Sequence, residues 1–249
     1  MPVTVIKGNK PVFYVHNADL GTYGRLINPD LADDVVDVAA WVDGGHRSRP
    51  GLQNITAQFR ALFDDTSTAS HAVITDLLDN ERAASVYVDG DASSSPGIGL
   101  GSVRARNYAG AGSVGDVYEV SCELYQQNTW DTLRSLEALA TYTAATATGS
   151  ILDDGASNTS GVGFYVHVMS NSASGGNAQW IVEVHHSTST TAASFATLTG
   201  AVLTVPSGTA TGTVLSIASG TTVNRYTRVK IVRDATSGNL KVQAGLARR

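Results

Sequence analysis

A single cysteine, Cys122, excludes an internal disulfide and any cysteine-built zinc cluster. Charged residues are scarce at 16%, low for a free cytosolic enzyme, and aromatics reach only 7%. No apolar run approaches the roughly 20 residues that span a bilayer. The opening MPVTVIKGNKPVFYV lacks the basic-then-apolar run of a secretory signal, so the chain is expected to be made in a cytoplasm and to be soluble, or to become so on assembly. Catalytic frames are missing as well, and neither an enzymatic activity nor a cofactor is expected. No GxSxG elbow frames a serine. His185 and His186 are adjacent on a strand, point to opposite faces and cannot share a metal, so they read as a surface pair. His46 and His71 show no ligand spacing. GIGLG (Gly97–Gly101) is followed by another strand and reads as a hairpin connection, not as a phosphate loop. Without a secretory signal, the sequons at Asn54 and Asn158 are chance matches.

What is abundant is small and hydroxylated. Glycine alone occurs 25 times beside a hydrophobic fraction of 42%, a mixture suited to a mainly β fold with many turns and with surfaces buried against other subunits. Period-two alternation recurs at Val35–Val42, Gln53–Phe63, Ala84–Asp89, Val103–Ala109 and Asp116–Gln126. One segment departs from it. Ser70–Arg82 sets Val73, Ile74, Leu77 and Leu78 on one helical stripe, with Ser70 as the expected N-cap. Thr141–Gly161 turns to Thr, Ala, Ser and Gly and reads as a junction. The expected domains are therefore 1–145, mainly β with one helix, and 150–249, an immunoglobulin-like β-sandwich.

Charge is unevenly spread over a net of −5: 18 acidic and 10 basic side chains precede residue 141, against 4 and 7 after it. The acidic larger part argues against simple nucleic-acid binding and suits a surface that lets DNA pass without holding it. Asp116–Gln126 (DVYEVSCELYQ) sharpens this point. Tyr118, Val120, Cys122 and Leu124 form one side, with Cys122 a core thiol, while Glu119, Ser121 and Glu123 stand on the other. That second side is either an ordinary solvated sheet face or the lining of a water-filled bore. Asn54, Gln58 and Arg60 alternate against Ile55, Ala57, Phe59, Ala61 and Phe63 and are candidates for the same face.

The run DVVDVAAWVDGGHRSRPGLQNITAQFRALFDD, followed by an amphipathic helix and by GIGLGSVRARNYAGAGSVGDVYEVSCELYQ, resembles the tail tube (major tail) proteins of long-tailed bacteriophages over about residues 3–140. The C-terminal part, with AQWIVEVHHSTSTTAASFATLTG and VNRYTRVKIVRD, is similar to β-sandwich modules appended to phage virion proteins. The resemblance implies that residues 1–145 form a small β-sandwich or barrel flanked by one helix, joined into hexameric rings stacked into a tube, assembled in the host cytoplasm and carried in the virion tail. It implies tape-measure and tail-terminator or baseplate partners, a channel for DNA, and a decoration domain that touches the host surface. The lumen would be lined by Glu119, Ser121, Glu123, Asn54, Gln58 and Arg60. Asp43, Gly44, Gly45, His46, Arg47, Ser48 and Arg49 would form a loop docking one ring on the next, with residues 1–20 as a second bridging arm. Alternatives are a tail-terminator or baseplate ring, a type VI secretion tube, or a glycan-binding module using Trp180 and Tyr226, which otherwise belong to the sandwich core.

Overall fold

The computed structural model describes residues 11–37, 48–112, 117–126 and 130–249. Its strands begin with β1 (Val12–Val15), β2 (Ala18–Asp19), β3 (Gly24–Asp37) and β4 (Ser48–Leu62), followed by helix α1 (Ser70–Asp79). Next come β5 (Arg82–Tyr87), β6 (Pro96–Ala111), β7 (Glu119–Gln126), β8 (Asp131–Tyr142), β9 (Thr146–Thr148) and β10 (Leu152–Asp153). The chain finishes with β11 (Val162–Ser174), β12 (Gln179–Ser187), β13 (Ala196–Pro206), β14 (Thr211–Ile217), β15 (Tyr226–Asp234) and β16 (Ser237–Arg248). The protein is mainly β, its paired strands are antiparallel, and α1 is the one α-helix among the described residues, as the alternation predicts.

Two compact units emerge, divided differently from 1–145 and 150–249. The first comprises Met1–Thr22, Ala83–Gly101 and Asp131–Arg249; the second comprises Tyr23–Arg82 and Ser102–Trp130. The reason is strand pairing. β8 runs up to the expected junction but pairs along its length with β16, from Leu133↔Ala247 to Tyr142↔Leu240. Residues well before 145 are thereby built into the unit that holds the C-terminus.

In the first unit, one sheet has the order β14-β11-β16-β8-β6-β5-β1-β2 and a second has β10-β15-β12-β13, with β9 beside β15. One core contains Phe164, Val166, Val168, Val242, Ala244 and Leu246 of the first sheet with Trp180, Val182, Val184, Val229 and Ile231 of the second. That is the predicted sandwich, and Trp180 lies in it with none of its surface exposed. The long sheet also buries its other face. Tyr14, Tyr87, Leu133, Tyr165 and Ala247 make a second cluster, which requires the sheet to fold back over itself. It does so without closing, because among the described residues β14 pairs only with β11 and β2 only with β1.

Glycines make room for the tyrosines of this inner cluster. A Cβ on Gly99 would lie 2.5 Å from Tyr165 Cζ, and one on Gly97 would lie 2.6 Å from the Val86 carbonyl oxygen. GIGLG is thus part of strand β6 and not a hairpin connection; its glycines answer to close packing. His167 ties the fold-back together. Its Nδ1 donates to the His16 carbonyl at 2.9 Å, which leaves Nε2 to accept from Ser85 Oγ at 2.9 Å. Tyr14 stacks on its ring at 5.7 Å. At the chain's end, Arg249 grips the buried Asp131 through two bonds of 2.9 and 2.8 Å, and Tyr165 donates to the same carboxylate at 2.8 Å.

The second unit is the sheet β3-β4-β7-β6 with α1. Its buried side chains include Ala57, Phe59 and Ala61 of β4, Val120, Cys122 and Leu124 of β7, and Val73, Ile74 and Leu77 of α1. Helix α1 contacts β7, so its apolar stripe does cover the oily face of the sheet. Ser70 is not the N-cap. Ala69 holds that position with no side-chain cap bond, because Ser70 Oγ donates instead to the Leu62 carbonyl. The helix stops at Asp79, and Arg82 reaches back to Asp76 through bonds of 2.7 and 2.9 Å.

Burial holds His167 largely neutral, with its pKa pushed down to about 4. An unfolded histidine titrates near 6.5, so the unfolded chain binds the extra proton and stability falls as pH drops from about 6.5 to 4. Wild-type protein should lose about 3 kcal/mol more across that window than His167→Gln, measured by denaturant unfolding at each pH. Equal slopes for the two proteins would remove His167 as the acid-sensitive group.

Candidate functional site

The strands of the second unit alternate in burial as well as in sequence. On β7, Val120, Cys122, Leu124 and Gln126 are buried, whereas Glu119, Ser121, Glu123 and Tyr125 are half-exposed. On β4, Gln58 and Arg60 are exposed between buried neighbours. Register decides whether these side chains meet. Gln58 pairs with Glu123 and Arg60 with Ser121, and paired residues of antiparallel strands share a face. Five of the six expected channel residues therefore stand together: Gln58, Arg60, Glu119, Ser121 and Glu123. Asn54 pairs with Ala32 just beyond the last β4–β7 pair, Ile55↔Gln126.

Two neighbours on β6 change the charge of this face. Arg106 pairs in register with Glu123 and forms an ion pair with its Oε1, and Asn107 donates to Oε2 at 3.1 Å. Asn107 adopts φ 56° where the β6–β7 register shifts, a left-handed conformation that asparagine tolerates in a bulge. The Arg106 hydrogen bond, reinforced by its charge, holds the Glu123 carboxyl below the usual glutamate range. Arg106 also lies 5.2 Å from the centre of the Tyr125 ring. Glu123 is therefore not the free, DNA-repelling acid expected from alternation alone; its charge is matched across the ladder. Arg106 and Asn107 escaped sequence reasoning because only the pairing register brings RARN opposite CEL. Arg104 turns elsewhere, donating to the Leu78 and Asp79 carbonyls at 3.0 and 3.2 Å, where it complements the C-terminal dipole of α1.

An aromatic rim stands in the same unit. Phe63 and Tyr118 are 41% and 47% exposed and meet edge to face at 5.4 Å. Phe63 also approaches His71 at 4.9 Å, and His71 Nδ1 lies 2.6 Å from Tyr108 Oη. Cys122 is a core thiol, as expected, and burial pushes it up to about 12.

Asp43, Gly44, Gly45, His46 and Arg47 of the expected docking loop lie outside the described residues. Ser48 and Arg49 are strand rather than loop, paired with Asp37 and Val36 at the start of β4. Among the described residues, β4 pairs from Asn54 back to Ser48 with β3 alone, so the two strands continue past the end of β7. Residues 1–10 of the expected bridging arm are likewise outside the described residues, while Val12–Val15 is already paired with β5 of its own chain. Those four residues are committed within the subunit.

In the first unit, His185 is buried rather than superficial. Its Nε2 lies 3.0 Å from Glu183 Oε1, an acid two residues away on the same side of β12, and Lys230 Nζ lies 3.1 Å from that oxygen. His186, on the opposite side, accepts from the Asn224 amide at 3.1 Å. Tyr226 is half-buried, with the Arg225 guanidinium 5.0 Å from its ring centre. No group of three or more metal-ligating side chains occurs among the described residues.

Neither protein-family models nor curated proteins match this chain. Among solved structures, the Dit protein (gp 19.1) of phage SPP1, described as a paradigm of hub adsorption apparatus in phages infecting Gram-positive bacteria, aligns over 95% of this chain and 98% of its own, with 11% identity and a TM-score of 0.31. A structure of infectious bursal disease virus, strain Gx, aligns over 90% of this chain and 56% of its own, with 10% identity and a TM-score of 0.26. At these scores neither likeness carries an argument, and the functional reading rests on the chain's own residues.

Arg106→Ala should raise the Glu123 titration midpoint toward the ordinary glutamate range in carboxyl NMR, without disturbing the fold. An unchanged midpoint would show that Arg106 does not hold the acid in solution.

Proposed function

We propose that this chain is a structural subunit of a phage tail that self-assembles into hexameric rings, stacked as a tube around an aqueous channel. The observation that carries the reading is the one-sided sheet of the second unit. Helix α1 covers its apolar face, while its polar face, with Gln58, Arg60, Glu119, Ser121 and Glu123, carries no covering element among the described residues. Such a sheet suits a wall between protein and water. Among the described residues its outer strand β3 pairs only with β4, which would leave one backbone edge for the next subunit. The segment Asp43–Arg49, expected from the sequence to be the docking loop, would dock one ring on another. The phage assignment itself comes from the sequence resemblance.

On this reading the channel wall is polar and largely charge-compensated. DNA would slide past Glu119 and the Arg106–Glu123 pair without finding a continuous basic track. Tape-measure and tail-terminator or baseplate proteins are the partners, the virion tail is the location, and residues 150–249 would touch the host surface.

Negative-stain microscopy of the purified chain tests the proposal directly. Rings or tubes with a central hole are expected. Lone particles at every concentration, together with absence of the protein from tail filaments, would overturn it.

A further inference from the structure

From Val184 to Asn224 the sequence contains no Asp, Glu, Lys or Arg, a run of 41 residues in a chain whose net charge is −5. The fold places two strands from this run, β13 and β14, at the ends of the two sheets of the first unit. β13 is the last strand of β10-β15-β12-β13 and β14 is the first of the long sheet, and the two are in contact. β14 has part of its margin covered, since the Gly212 amide donates to His16 Nδ1 at 3.1 Å. Among the described residues, β13 is closed at its C-terminal end, where Asn171 Nδ2 donates to the Val205 carbonyl at 3.0 Å and also to that of Pro206. Between Leu198 and Thr204 its outer backbone pairs with no strand among the described residues, although β14 packs nearby, with Ile217 Cγ1 3.6 Å from where a Cβ on Gly200 would lie.

Soluble proteins guard a free edge with lysines, inward charges, prolines or bulges. β13 has one bulge, where register shifts between Glu183 and His185 and Gly200 takes φ 87°, and a proline only at its end. Its exposed side chains include Thr197, Thr199, Val202 and Thr204, with Val202 42% exposed. Such an edge is complementary to another uncharged strand. We propose that the Leu198–Thr204 edge of β13 is a self-association surface, on which β13 of a second copy of this chain adds as an antiparallel strand. The occupant follows from charge and symmetry. Copies with a net charge of −5 repel one another except where the surface is neutral. An antiparallel edge is self-complementary about a two-fold axis. This contact uses a different unit from the ring contact proposed above and does not rest on it.

Hydrogen–deuterium exchange on the full-length protein reads the edge locally. At high concentration, alternate amides between Leu198 and Thr204 should exchange about tenfold more slowly than at low concentration. The double variant Val202→Lys, Thr204→Lys alters two exposed side chains and should remove that protection. It should also halve the sedimenting mass of whatever assembly the wild type forms. Concentration-independent exchange of this segment in the wild type overturns the proposal. A double variant that retains both mass and protection overturns it too. Should the lysines unfold the chain, the wild-type dilution series alone decides. Failure to form rings with β13 protection intact would count against the tube reading only.

Discussion

Every strand has two faces, and each apolar face must be covered by something. That constraint sets the form of both units. In the first, the long sheet is apolar on both sides; it covers one with a second sheet and the other by folding back on itself, around Tyr14, Tyr87 and Tyr165. In the second, a single helix suffices because only one side is apolar. The polar side then becomes a surface with functional meaning, and the functional proposal follows from that asymmetry.

Electrostatics are handled differently in the two places. Inside the fold-back, polar groups are satisfied locally: His167 between Ser85 and His16, and Asp131 between Tyr165 and Arg249. A buried carboxylate or imidazole without such partners would be strongly destabilising, so these bonds fix which strands can approach. On the open face of the second unit, the Arg106–Glu123 pair is solvated and contributes little to stability. Its effect is to cancel the charge of Glu123 on that open face.

Edges are the other resource of the fold. β3 in the second unit and β13 in the first are terminal strands with backbone groups free to pair. The β3–β4 ribbon is rich in charge around Asp33, Asp37 and Arg49, whereas β13 has none. A charged edge selects partners and a neutral one accepts its own kind, so the two edges suit separate roles in assembly.

The sequence by itself determined the local rules: mainly β structure, one amphipathic helix, a core cysteine, the sandwich aliphatics, and which residues of β4 and β7 share a side. These follow from periodicity, which is a property of neighbours along the chain. Register, unit boundaries and the fates of individual polar groups were decided by tertiary structure. Arg106 cancels Glu123 because strand pairing brings residues 17 positions apart into contact. Gly97 and Gly99 are strand residues because tyrosines from other strands need their space. His185 is buried although the charged Glu183 and Lys230 stand beside it. β8 belongs with β16 because hydrogen bonds across the sheet outweigh a change in composition along it. Each depends on segments far apart in the chain, and alternation cannot report which segments those are.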